Sequence, residues 1–207
     1  NTATVRLARQ LGANDIIATA RTLGITANLP RDLSIALGSA GIPMIQMVNA
    51  YAMMANGGHN LQPHGITKIS RADGKILYKR RAPVKRQAII DNSHMRTMRE
   101  MLRHNVRQGT GGNAAIDIPA AGKTGTSQDS RDAWFVGFTP AYIGAVWMGN
   151  DDNTPMDAVT GGNYPAKIWG RMMTEAHKMQ NLPDNSGAAP PGETSGFARL
   201  LNTLIGQ

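Results

Sequence analysis

Lys123, Thr124, Gly125 and Thr126 place a cation, a hydroxyl, a residue without a side chain and a second hydroxyl in consecutive positions. On an exposed strand edge this order suits a peptide-like substrate that ends in a carboxylate. The lysine brings positive potential, the hydroxyls donate to carboxylate oxygens, and the glycine lets a substrate backbone come close. The four residues follow Gly122 and an apolar stretch from Ile116 to Ala121 that contains Pro119, and they precede the run Asp132-Ala133-Trp134-Phe135-Val136-Gly137.

Gly122-Lys123-Thr124 is also how a phosphate-binding loop ends, and that chemistry is excluded on two grounds. The loop needs a glycine five positions before Gly122, where the chain has Asp117. It must also open a helix so that its amides point at the anion. Here Thr126 to Ser130 is turn-like and leads into a strand pattern.

The elements that must hold these residues are legible around them. Ala133 to Phe138 and Tyr142 to Met148 are rich in aromatic and β-branched residues and flank Thr139-Pro140-Ala141, so they read as a hairpin. With the Lys123 segment they form a three-stranded meander. Asn150 to Pro155 ends the last strand, and it lacks the Asp-x-Asp-x-Asp-Gly spacing of a calcium loop, which leaves a plain turn. Ala166 to Lys178 carries Ile168, Trp169, Met172, Met173 and Ala176 at helical spacings and is expected to cover one face of the sheet.

Upstream, Thr2 to Leu11 and Asp15 to Leu23 read as two short helices broken at Gly12-Ala13-Asn14. Pro43 to Ala55 is a helix with Pro in its first turn and Gly57-Gly58 at its end; Met44, Met47, Met53 and Met54 are expected to fill a core. Ile66 to Ile69 and Lys75 to Tyr78 form a second hairpin turned by Asp73-Gly74. Asn92 to Val106 is a helix, and Gly109, Gly111 and Gly112 make a loop leading towards the Lys123 strand. No segment repeats another.

A chain of 207 residues with 41% hydrophobic and 17% charged residues can bury a core of its own. It has no cysteine, which excludes disulfides and cysteine metal sites. No apolar run approaches the roughly 18 residues of a membrane span. The net charge of +8 raises the question of nucleic acid, and Lys79 to Arg86 is the densest basic stretch. That stretch follows a hairpin strand and has no interleaved aromatics on which bases would stack, so it reads as a solvated loop, and nucleic acid is not expected as a partner. His59, His64, His94, His104 and His177 show no ligand spacing, and no metal is expected.

Three ordered segments carry a resemblance to a family: Lys123-Thr124-Gly125-Thr126, Arg131-Asp132-Ala133-Trp134-Phe135-Val136-Gly137-Phe138-Thr139-Pro140, and Val146-Trp147-Met148-Gly149-Asn150-Asp151-Asp152-Asn153-Thr154-Pro155-Met156. With Leu33 to Ser39 and Ala50 to Gly58 upstream, they resemble the transpeptidase domain of class A, bifunctional penicillin-binding proteins, from the first residues to about Lys178. The resemblance implies an α+β fold: an antiparallel sheet flanked by helices, the C-terminal portion of the serine transpeptidase and β-lactamase-like fold.

Members of that family act through a Ser-x-x-Lys, a Ser-x-Asn and the Lys-Thr-Gly strand. None of the eight serines here has Lys three positions on or Asn two positions on. The resemblance makes Asn1 the last residue of the Ser-x-Asn and residues 1–180 a partial transpeptidase domain without its nucleophile segment. These residues alone are then expected to be inactive. A membrane anchor is expected upstream, as is the part of the same protein that completes the site.

The implied reaction is peptidoglycan cross-linking through an acyl-enzyme. Lys123 and Asn1 position the serine and the substrate, Thr124 and Thr126 bind the terminal carboxylate, Gly125 admits the substrate backbone, and the Thr126 amide is half of the oxyanion hole. Implied partners are stem peptides and β-lactam antibiotics, with no cofactor, at the periplasmic face of the inner membrane. A D,D-carboxypeptidase or β-lactamase-type hydrolase on the same fold, and a non-catalytic cell-wall-binding module, stay open as alternatives.

Residues 181–196, with three prolines, three glycines and two serines, read as a linker. In 197–207, Phe197, Leu200, Leu201, Leu204 and Ile205 lie on one face of a short amphipathic helix, too short to be stable alone in water.

Overall fold

The computed structural model describes residues 1–81 and 88–180; the expected linker and amphipathic tail, and residues 82–87 with the end of the basic stretch, lie outside them. Two compact units divide the chain between Arg99 and Glu100.

In the first unit, helix α1 (Thr2–Leu11) gives way to α2 (Ala13–Thr22) at Gly12, whose φ of +84° suits a residue without Cβ. Helix α2 opens two residues earlier than the sequence implies, with Asp15 inside its first turn, where a carboxylate complements the helix dipole. From the last turn of α2 the Arg21 guanidinium donates to the carbonyls of Ile25 (2.6 Å) and Ala27 (2.8 Å), which follow the helix. A 3-10 turn at Leu33–Leu37, capped by the Asp32 carboxylate, lies in a segment for which no element was expected.

Helix α3 (Met44–Ala55) starts behind Pro43. Ile25, Leu29 and Ala50 form the core of this unit, with Ile17, Leu23 and Ile35 packed around them. The expectation that the methionines fill a core holds for Met53, which is wholly enclosed. Met47 and Met54 are half-buried, and Met44, in the first turn of α3, is exposed. Strands β1 (Lys68–Ser70) and β2 (Ile76–Lys79) make the expected hairpin, exposed along its length and turned at Gly74. Helix α4 (Asn92–Gln108) runs on into the second unit.

The second unit holds the meander. Strands β3 (Ala121–Thr126), β4 (Asp132–Phe138) and β5 (Ile143–Gly149) pair antiparallel in sequence order, so β3 is an edge. Helix α5 (Tyr164–Gln180) begins with Pro165 in its first turn and packs on β4 and β5. Its Trp169 meets Phe135 of β4 with ring centroids 5.1 Å apart and donates its indole N–H to the Gly144 carbonyl at 3.0 Å. Burying one such ring contributes on the order of 2–3 kcal/mol. Glycines in the sheet make this packing possible: a Cβ on Gly144 would stand 2.6 Å from the Met173 methyl group.

At the far end of the sheet, Thr139 is buried in the β4–β5 turn. Its hydroxyl lies 2.8 Å from His177 Nε2, and the His177 ring meets Tyr142 edge-on. His177 therefore ties the hairpin to α5. The Asp151-Asp152 segment builds a turn in which Asp152 accepts from the Thr154 amide (3.0 Å) and hydroxyl (2.8 Å), bonds that hold its carboxyl below the usual range.

Candidate active site

Strand alternation sorts the Lys123 segment onto two faces. Thr124 pairs with Phe135 and so shares the face that packs on α5, and Thr126 follows on the same side. Lys123, opposite Val136, and Gly125, opposite Trp134, look the other way. The backbone alternates as well. Gly122 O accepts from Asn105 Nδ2 (2.9 Å) and Thr124 O from Lys123 Nζ (3.0 Å), so both carbonyls point away from β4. The same period of two turns the Thr126 N–H to that free edge, the direction in which an amide can serve an oxyanion.

The Lys123 ammonium folds along the edge. Besides Thr124 O it donates to Thr124 Oγ1 at 3.3 Å, and among the described residues no carboxylate lies within ion-pair distance of it. The side chain stays accessible to solvent, yet the protein around the charge desolvates it in part and holds its pKa below the ordinary lysine value. An unpaired, partly desolvated cation on a strand edge is prepared to receive an anion.

The two threonines differ. Thr124 Oγ1 lies 2.7 Å from Thr110 Oγ1, in the loop after α4, as well as beside Lys123. Thr126 Oγ1 accepts from the Gly161 amide at 3.0 Å and keeps its own proton for another acceptor. Gly161 lies directly against the strand: a Cβ there would stand 2.5 Å from Gly125 O and would collide with Trp134 O. Its neighbour Gly162 is held by Asn113, whose Nδ2 donates to the Gly162 carbonyl at 2.7 Å.

Of the residues named from the sequence, Lys123, Thr124, Gly125 and Thr126 therefore stand together on β3. Asn1 heads α1 in the first unit. It is exposed, its side chain makes no capping bond, and its carbonyl accepts from the Val5 amide at 2.9 Å. Sequence reasoning passed over Asn105, Thr110 and Gly161. The only trace of them was glycine: Gly109, Gly111 and Gly112 around Thr110, and the Gly161-Gly162 pair.

Residues 1–174 match the family model described as penicillin binding protein transpeptidase domain. Among curated proteins, penicillin-binding protein 2D of Bacillus subtilis is 35% identical over 191 residues, covering 89% of this chain and 27% of the relative. Penicillin-binding protein 1A of Clostridium acetobutylicum is 34% identical over 200 residues, covering 94% and 24%. The chain thus spans about a quarter of the length of these relatives. Among solved structures, penicillin-binding protein 1A from Haemophilus influenzae shares the fold with a TM-score of 0.75 at 21% identity, over 92% of this chain and 34% of that one. The PonA1 protein from Mycobacterium tuberculosis in complex with penicillin V gives 0.72 at 23% identity, over 90% and 55%.

Proposed function

The chain belongs to the family of penicillin-binding protein transpeptidase domains, and from that premise we propose that it supplies the substrate-binding edge of a peptidoglycan D,D-transpeptidase of the class A, bifunctional kind. The observation that carries this reading is β3 itself: an edge strand on which Lys123 brings a cation with no ion pair among the described residues, and Thr126 an amide turned to the free edge and a hydroxyl with a proton to give.

In the proposed reaction the serine of a Ser-x-x-Lys attacks the penultimate D-alanine carbonyl of a stem peptide. The lysine of that motif takes the serine proton. The tetrahedral oxyanion is held by the Thr126 amide and collapses as that lysine hands the proton to the departing D-alanine amine; an amine of a neighbouring stem then attacks the acyl group, giving up a proton through the lysine to the serine it frees and forming the cross-link. Lys123 and Thr126 bind the terminal carboxylate, Gly125 gives the substrate backbone room at the edge, and Asn1, as the end of the Ser-x-Asn, orients the serine side of the site. β-Lactams enter as acylating mimics of the same substrate. A site that works on peptidoglycan belongs on the periplasmic face of the membrane, where it contributes to wall synthesis and cell shape and is an antibiotic target.

The test is a fluorescent penicillin added to the intact protein that contains these residues. A stable adduct on a Ser-x-x-Lys serine, with cross-linked product from stem peptides, is the expected result. An adduct that yields only trimmed stems identifies a carboxypeptidase, rapid release of hydrolysed penicillin identifies a β-lactamase, and no reaction leaves a wall-binding module.

A further inference from the structure

A chain of hydrogen bonds links the C-terminal end of α4 to the Lys123 strand. Gly122 O can only accept, so the Asn105 atom 2.9 Å away from it is the amide nitrogen, and Asn105 Oδ1 faces the other way. That oxygen can only accept in turn, so the Thr110 hydroxyl, 3.1 Å from it, has spent its single proton there. The 2.7 Å contact between Thr110 Oγ1 and Thr124 Oγ1 must then be made by the Thr124 proton. The remaining face of the Thr124 oxygen receives Lys123 Nζ at 3.3 Å. The bonds run one way: Lys123 to Thr124, Thr124 to Thr110, Thr110 to Asn105.

The loop is built to hold this order. Asn105 O accepts the amides of Gly109 (3.0 Å) and Gly111 (3.2 Å), wrapping the loop round the end of the helix. A Cβ on Gly109 would stand 2.8 Å from Asn105 Oδ1, and one on Gly111 2.7 Å from Asn105 Nδ2. The glycines therefore make room for one asparagine side chain, and that asparagine sets the proton of Thr110.

We infer that Asn105 and Thr110 are positioning residues for the site: by taking the Thr124 proton they fix a lone pair against Lys123, park the ammonium at the strand edge, and leave Thr126 as the hydroxyl of β3 that donates to a substrate carboxylate. Without them the Thr124 hydroxyl is free to turn its proton towards the lysine, where it repels the ammonium instead of accepting from it. The inference rests on the transpeptidase reading of β3.

Fluorescent penicillin V and its methyl ester, reacted with the intact protein, test it. Thr110 is exposed, so Thr110→Val keeps the shape and should fold. The second-order acylation rate with the carboxylate form should fall about tenfold in Thr110→Val, the worth of one misdirected hydrogen bond to a charged partner. The slower ester reaction should barely change, so that discrimination between the two shrinks. Thr110→Ser should restore both the rate and the discrimination. Two results overturn the inference while leaving the transpeptidase reading intact: Thr110→Val acylating like wild type, or Thr110→Val losing rate equally with both probes, which a purely structural role would produce. A wild-type protein that takes no penicillin overturns the reading of the site and this inference with it.

Discussion

The amide of Gly161 donates to the hydroxyl oxygen of Thr126 at 3.0 Å, a bond between a loop and a strand residue 35 positions earlier. It leaves the Thr126 oxygen one proton to give and sets where that proton can point. The close approach depends on glycine, since any Cβ at 161 meets Gly125 and Trp134 backbone. Gly161→Ala should therefore cost roughly 1–3 kcal/mol in urea unfolding, as overpacking does, and reduce acylation by more than the loss of stability accounts for. Gly112→Ala, where no atom stands within 4 Å of the added carbon, is the control. Equal behaviour of the two variants would mean that the loop does not bear on Thr126.

Lys123 makes no ion pair among the described residues and projects from an edge strand. Lys123→Met in the intact protein should leave unfolding within about 0.5 kcal/mol, as surface substitutions do, while lowering penicillin acylation about 100-fold or more, as when a preorganised charge-stabilising donor is removed. Acylation close to wild type would show that β3 is not the substrate edge.

Partial desolvation lowers the Lys123 pKa, so the ammonium is lost on the alkaline side before an ordinary lysine at about 10.4 would lose it. On the proposed reading, that charge is what holds the carboxylate of a substrate. The acylation rate should thus hold below the folded-state pKa and decline as pH rises through it. Stability moves in the opposite sense: the folded state binds its proton less tightly than the unfolded chain, so the cost of charging Lys123 is present at low pH and disappears as pH rises through the folded value. A pH–rate profile on Lys123→Arg, which stays charged, should lack the alkaline decline; the same decline in both proteins would assign it to another group.

Burial on α3 pushes the Tyr51 phenol up to about 12. A raised phenol pKa stabilises the fold fully below the unfolded value near 10 and loses that contribution as pH climbs from there towards 12. Since Tyr51 is only partly shielded from solvent, the loss should reach about 2 kcal/mol at most. Chemical unfolding followed between pH 9 and pH 12 should show a steeper decline for wild type than for Tyr51→Phe. Parallel declines would mean that the phenol ionises as freely in the folded protein as in the unfolded one.

The meander was legible because its cues are local. The β-branched and aromatic runs, and the Thr139-Pro140-Ala141 turn between them, are read within a few residues, and the strands fall within one residue of where those cues place them. The helix over the sheet was equally plain from Trp169 and Met173 at a spacing of four. The Thr124 surroundings were not legible, because they are made by distance. Nothing in the spacing of Asn105, Thr110 and Gly122 says that an amide, a hydroxyl and a carbonyl will meet, and Gly161 acquires its place only when the chain after β5 returns over β3. Met44 departed from expectation for a simpler reason: composition marks a methionine as apolar, but the first turn of α3 leaves that position in water.

The side chains on the open rim of β3 also decide what else can lie there. Gly122 O is occupied by Asn105 and Thr124 O by Lys123, so two successive rungs of the unpaired ladder are already taken. A second protein molecule seeking to extend the sheet would have to displace both, and one of them is a charge. The rung that remains is at Thr126, too little for a whole strand to pair on. Two side chains that hold the Lys123 strand in order thus also stand where the backbone of a neighbouring copy would have to pair.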